Sequence, residues 1–397
     1  MQKKKILFVN YSLHSGGIEK SLVTLLNLFD YSKYSVNLQL FVHEGLFLKN
    51  VPSKVKLLPA LLPKEYKLNI RQAFTALLQK GMFKTAFCRL MVTLVSRKGT
   101  LGERLVRVYN VEKKLLKPNH CEYDAVIAFM EGQPLYYAAD FVNAKKKICF
   151  IHGDYKAMEM CKEADSAYLD RFDALCTVSE ACKQALDESF PESAAKHRVI
   201  YNIVSKQTIE ALSHSDSGFS DAFCGKRILT IARLSYQKGL DVGVAAIALA
   251  AKALNIPDFK WYIIGIGPEQ AALKALCEQH GISDKVVFLG EKPNPYPYLR
   301  ECDIYFQPSR FEGKAIAVDE ACILCKPIIL ADYSTAHDQL DAEKEGIIAE
   351  FSPQALSQAI VSLLSSPELC SQFADNLACK DLSNESELQK LYDLIEN

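Results

Sequence analysis

The chain is 397 residues long, more than one hydrophobic core ordinarily serves, so two domains are expected. Its hydrophobic fraction of 49% and charged fraction of 24% are ordinary for a globular protein, and 47 basic side chains matched by 47 acidic ones exclude recognition of nucleic acid by bulk charge. Thirteen cysteines follow no small-domain disulfide framework, and the apolar run after Lys5 is too short for a signal peptide, so free thiols in a reducing cytoplasm are expected.

Lys5 to Asn10 is a continuous apolar run, as expected of a buried parallel strand. Ser15-Gly16-Gly17-Ile18-Glu19 follows, then a helix through Leu22, Leu25, Leu26 and Phe29. Strand, glycine turn and helix make a phosphate-binding opening of the doubly wound type, or else a plain tight turn; the full dinucleotide fingerprint and the Gly-Lys-Ser/Thr ending are both missing. Val36 to Val42 and Val55 to Leu58 predict the next strands. The segment 64–118 then carries thirteen Lys and Arg against three Glu, a net charge of +10, interleaved with Phe74, Leu77, Leu78, Phe83, Phe87, Leu90, Met91 and Leu94 at helical spacing. Such helices either lie on an anionic membrane surface or are ordinary helices with a solvated basic face.

Tyr123 to Phe129 and Lys147 to Ile151 are further strands, the second delivering His152 and Asp154 at its carboxyl end, where open α/β sheets bind ligands. Ala174 to Ser179 is a strand ending in a helix cap, and Arg198 to Asn202 is the last strand before a polar, turn-rich stretch, Ser205 to Gly225, read as the linker. The predicted domains are therefore 1–204 and 205–380, with a C-terminal helix in 381–397.

The second half repeats the same grammar. Arg227 to Ala232 is a strand leading into Arg233-Leu234-Ser235-Tyr236-Gln237-Lys238-Gly239, then an alanine-rich helix to Leu254. An Arg and a Lys five positions apart in a loop at a strand's carboxyl end can clamp a diphosphate, or else are two solvated basic residues. Lys260 to Ile264 precedes Gly265-Ile266-Gly267-Pro268, whose third fingerprint glycine is replaced by Gln270. Val286 to Lys292 is a strand passing through Gly290, and Cys302 to Ser309 is another. Phe311-Glu312-Gly313-Lys314-Ala315 forms the next loop, Ile316 to Leu324 a helix with Glu320 about two turns in, and Lys326 to Leu330 the following strand. Backbone N–H groups at that helix's start can meet a ligand, and the two carboxylates either face it from different depths or are ordinary surface charge. Cys322 and Cys325 have no second pair and are read as structural.

The segment from Ser309 to Ile328, with Glu312 and Glu320 eight positions apart, resembles the paired-glutamate signature of the retaining glycosyltransferases of family 4. The resemblance implies a GT-B fold: two doubly wound, Rossmann-like parallel-sheet domains of α/β class facing a cleft, with the last helix crossing back to the first domain. It implies that Glu312 lies by the donor sugar with Gly313, Lys314 and Ala315, and that Glu320 binds the ribose hydroxyls. Arg233 and Lys238 then hold the donor diphosphate, and Gly290 lies by the base. Gly16 and Gly17 approach the diphosphate and the acceptor, His152 the donor sugar, and Glu19 and Asp154 the acceptor. Lys314 departs from the family, where many members carry an apolar or aromatic residue.

The activity implied is transfer of a hexosyl unit, with retained configuration, from a nucleotide-diphosphate sugar of UDP or GDP type to a saccharide or lipid-linked saccharide. The setting is capsule, exopolysaccharide or lipopolysaccharide synthesis, in the cytoplasm or at the inner face of the plasma membrane. No cofactor or metal is expected, and no Asp-x-Asp triplet is present. Two alternatives remain: a GT-B enzyme such as a nucleotide-sugar epimerase, which would form product without acceptor, and an inactive nucleotide-sugar-binding scaffold.

Overall fold

The computed structural model describes residues 2–253 and 256–397. The chain divides into two compact units, one of residues up to Ile203 together with Ser386–Asn397, the other Val204–Glu385.

The first unit is built on seven parallel strands: β1 (Lys4–Asn10), β2 (Tyr34–Leu40), β3 (Lys56–Leu57), β4 (Asn119–Ala128), β5 (Val142–Ile151), β6 (Ala174–Thr177) and β7 (His197–Val199), in the order β3-β2-β1-β4-β5-β6-β7. Helices cover both faces, which is why β1 reads as an unbroken apolar run: Ile6 and Phe8 enter one core, Leu7 and Val9 another. The helix Glu387–Glu396 closes the first of these cores with Leu388, Leu391 and Ile395. Tyr392 stacks on Tyr34 at 5.1 Å, and its hydroxyl accepts from the Asp30 N–H at 2.7 Å. Glu396 receives the Tyr34 hydroxyl at 2.8 Å and pairs with Lys4 at 2.6 Å.

The second unit has six parallel strands: β8 (Lys226–Ile231), β9 (Phe259–Ile264), β10 (Val286–Gly290), β11 (Ile304–Gln307), β12 (Ile328–Ala331) and β13 (Gly346–Ala349), in the order β10-β9-β8-β11-β12-β13. Ile228 and Leu229 again enter separate cores. In both sheets the order reverses beside the first strand, between β1 and β4 and between β8 and β11, so each sheet has a crevice at its carboxyl edge where ligands bind in this architecture.

Two expectations are corrected. The stretch 205–225 is not a bare linker: Ser205 caps a helix, Lys206–Ser213, through the Thr208 N–H at 3.4 Å, and Ile209 packs with Tyr296, Ile316 and Ile323. Its polar composition after Ser213 masked one apolar anchor. The alanine-rich helix spans Leu240–Ala250; Leu254, to which it was predicted to run, lies outside the described residues.

Candidate functional site

In the second unit, the loops leaving β8 and β11 meet across the sheet's reversal point. The β8 loop is held from one side by the turn after β9: Leu234 N–H donates to Ile266 at 3.0 Å, and Glu269 N–H to Leu234 at 3.1 Å. A Cβ on Gly267 would stand 2.2 Å from the Leu234 carbonyl oxygen, so the Gly-x-Gly-Pro turn serves close backbone packing here. On the other side, Gly239 has φ +59° and presses against Pro308, where a Cβ would fall 1.9 Å from the carbonyl oxygen.

That contact sets Lys238 against Glu312. The ammonium lies 2.6 Å from Glu312 Oε1, with side chains 19% and 6% exposed. The same oxygen accepts from Ser309 Oγ at 2.6 Å and Gln307 Nε2 at 3.0 Å, while Oε2 accepts from Gln237 Nε2 at 3.3 Å. Buried carboxylates need such partners. Arg233, on the same β8 loop, is exposed and has no carboxylate partner among the described residues.

Glu320 is only 2% exposed and accepts from the Tyr296 hydroxyl at 3.0 Å. Burial and the neighbouring carboxylate together push the Tyr296 phenol well up. Glu320 is the fifth residue of the helix Ile316–Ile323, so it stands about one turn in, not two. Lys314 lies 3.1 Å from Asp319, both largely buried, and Asp319 also accepts from Gln339 Nε2 at 2.9 Å. At the start of this helix, where free N–H groups were expected, that of the capping residue Ala315 donates to Gln339 Oε1 at 2.9 Å. Gly313 is buried in this loop, and Gly290 ends β10, two strands from β8.

Several residues of this site escaped the sequence reading, Tyr296, Gln339 and Arg310 among them. Tyr296 and Gln339 are distant in sequence from what they bind. Arg310 grips Asp241 with two bonds of 2.8 and 2.6 Å, lies 4.0 Å from the Tyr236 ring centre, and so ties the two loops together. Its one signal was an arginine two positions before Glu312.

In the first unit, Gly16 caps the helix Gly17–Leu28 after β1, and Glu19 lies in that helix's first turn, where the helix dipole favours an anion. The Glu19 carboxylate lies over Gly16: a Cβ there would be 2.3 Å from Oε2. Asp154 accepts the N–H groups of Lys156 and Ala157, each at 3.0 Å, and so caps a turn. His152 follows β5, 7% exposed, with ring centres of Phe129 and Phe150 at 4.9 and 5.7 Å, and neither ring nitrogen finds a hydrogen-bond partner among the described residues. Its backbone N–H donates to Glu131 Oε2 at 3.0 Å.

Burial lowers the His152 pKa from 6.5 to about 4. Between those values the unfolded chain binds a proton that the folded chain refuses, so stability is full above about 6.5 and falls as pH drops toward about 4. His152→Phe should remove that loss. Denaturant titrations should show the variant gaining on wild type as pH falls, by about 3 kcal/mol at the acid end; a constant difference across pH would refute the assignment.

Residues 225–378 match the family model described as Glycosyl transferases group 1. The chain is 22% identical to the N-acetylgalactosamine-N,N'-diacetylbacillosaminyl-diphospho-undecaprenol 4-alpha-N-acetylgalactosaminyltransferase of Campylobacter jejuni, over 93% of this chain and 92% of that one. It is 31% identical to the putative colanic acid biosynthesis glycosyltransferase WcaL of Escherichia coli over 34% of this chain, and there it spans only 35% of the relative's length. Among solved structures, Anabaena Alr3699/HepE in complex with UDP and glucose aligns over 99% of both chains, with TM-score 0.69 and 17% identity. The fold is accordingly GT-B, two Rossmann-like parallel-sheet domains, and residues 225–378 of the second carry the match to glycosyl transferases group 1.

Proposed function

We propose that the protein is a retaining glycosyltransferase that moves a sugar from a nucleotide-diphosphate sugar, of UDP or GDP type, to a hydroxyl of a saccharide or lipid-linked saccharide in cell-surface polysaccharide synthesis. The observation that carries this reading is the buried Lys238–Glu312 pair at the reversal point of the second sheet. Glu312 holds the ammonium in place. A donor diphosphate arriving there exchanges one anionic partner of Lys238 for another. Glu312 retains Ser309 and Gln307 and is freed to accept from sugar hydroxyls.

Breaking the sugar–phosphate bond builds negative charge on the departing diphosphate, which Lys238 and the exposed Arg233 stabilise in place. The departing phosphate takes the acceptor's proton. Glu320, fixed by Tyr296, accepts from the ribose hydroxyls. The Campylobacter relative, a diphospho-undecaprenol N-acetylgalactosaminyltransferase similar over nearly its whole length, supports a lipid-linked acceptor, and the Anabaena complex supports a UDP donor.

The test is a thermal-shift screen against UDP, GDP, ADP, CMP and their sugars, since a bound nucleotide raises the melting temperature by mass action. One nucleotide class should respond, and Glu320→Ala should lose the response. No shift with any nucleotide at about millimolar concentration, roughly the weakest affinity of interest, would overturn the donor site.

A further inference from the structure

The helix Phe83–Val95 in the first unit is turned the wrong way for an ordinary surface helix. Its inner face buries Thr85, Ala86 and Cys88. Its outer face carries Phe83, Phe87, Leu90 and Leu94, exposed by 68, 62, 36 and 48%. At 100° per residue these four fall within a narrow arc, one continuous apolar stripe about 17 Å long. Surface helices normally face water with charge, and scattered exposed leucines need no comment, but a contiguous stripe of large side chains does.

Charge surrounds the stripe at both ends. Lys84 and Lys114 are exposed about its start, where the Lys84 ammonium reaches the Lys114 carbonyl, Lys117 is exposed three positions further along the chain, and Arg97 and Lys98 are exposed just past the helix's end. None of these five has a carboxylate partner among the described residues. The three glutamates of the segment are engaged by other groups: Glu65 pairs with Lys80 at 2.6 Å, Glu112 is buried, and Glu103, which lies beside Gly99 at the far end of the stripe, closes a capping box with Thr100 and faces Arg107 at 3.7 Å.

We infer that this face docks the protein on an anionic lipid bilayer. Phe83, Phe87, Leu90 and Leu94 enter the boundary between headgroups and acyl chains, and the lysines and arginines at both ends meet the phosphates. A second copy of the chain fits poorly, because pairing the face with itself would oppose two regions of the same positive sign. No helix among the described residues is long and apolar enough to cross a membrane, so the contact is one of lying on the surface. The inference does not rest on the transferase reading, because its test measures binding alone.

The experiment is flotation of the full chain with vesicles of phosphatidylcholine alone or mixed with phosphatidylglycerol. Wild type should float with the anionic vesicles and remain below with the neutral ones. Phe83→Ser/Phe87→Ser should lower the partition coefficient at least roughly tenfold with an unchanged melting temperature, since both rings are already in water. Arg97→Glu/Lys98→Glu should abolish the preference for anionic lipid. Equal recovery on both vesicles, or serine variants that float like wild type, would overturn the inference. So would sedimentation showing a wild-type dimer that the serine pair converts to monomer, which would assign the stripe to pairing between copies.

Discussion

Lys238→Ala is expected to lower sugar transfer roughly 10²–10³-fold, the scale for losing one preorganised donor from a developing anion. The same change leaves Glu312 buried without its cation, and removing one partner of a buried pair destabilises by about 3 kcal/mol or more. The two effects separate in a double variant. Adding Glu312→Gln keeps most of the hydrogen bonds from Ser309, Gln307 and Gln237 while removing the stranded charge. Lys238→Ala/Glu312→Gln should therefore melt above Lys238→Ala yet remain as inactive. Initial rates with the responsive nucleotide sugar, beside melting curves of all three proteins, make the comparison. A wild-type rate in Lys238→Ala would remove Lys238 from the chemistry.

Gly239→Ala carries the second large effect, and it acts through the backbone. At φ +59° any side chain pays the left-handed penalty, about 1–2 kcal/mol. The new Cβ would also lie 1.9 Å from the Pro308 carbonyl, a contact that only backbone movement relieves. Gly281 is the internal control: its φ is +68°, yet beyond its own chain neighbours no described residue lies within 4 Å of a Cβ built there. Gly281→Ala should cost about 1 kcal/mol, and Gly239→Ala at least about 3 kcal/mol, a fall of roughly 6–12 °C for a unit of this size. Because the displaced loop carries Lys238, activity should fall in Gly239→Ala and persist in Gly281→Ala. Equal melting temperatures for the two variants would show that Pro308 yields freely.

Much of this was legible in the sequence because it depends on short spans of chain. β1 and β8 announced themselves as apolar runs, since helices bury both faces of each sheet. Lys238 and Glu312 stood out because each follows a strand into a loop, where a charged side chain has few structural duties. The partnerships did not show. Nothing near Glu320 in sequence names Tyr296, twenty-four residues earlier, as its donor, and nothing near Arg310 names Asp241. Periodicity located the apolar positions of Phe83–Val95 without saying that they face outward, because a stripe reads the same from either side.

The helix Glu387–Glu396 sets a condition on how the chain is made. It supplies Leu388, Leu391 and Ile395 to a core whose other buried members run no further than Ile203, and all of Val204–Glu385 lies between the two in sequence. During synthesis the first unit emerges first but lacks one wall of its interior until the whole second unit has been translated. The intervening unit has both its sheet neighbours and its cores within its own span, so it is able to fold while the first one waits. The order of completion is thus the reverse of the order of synthesis, and a ribosome that stalls within residues 204–385 leaves the earlier unit with Phe29 and Tyr34 uncovered and open to aggregation.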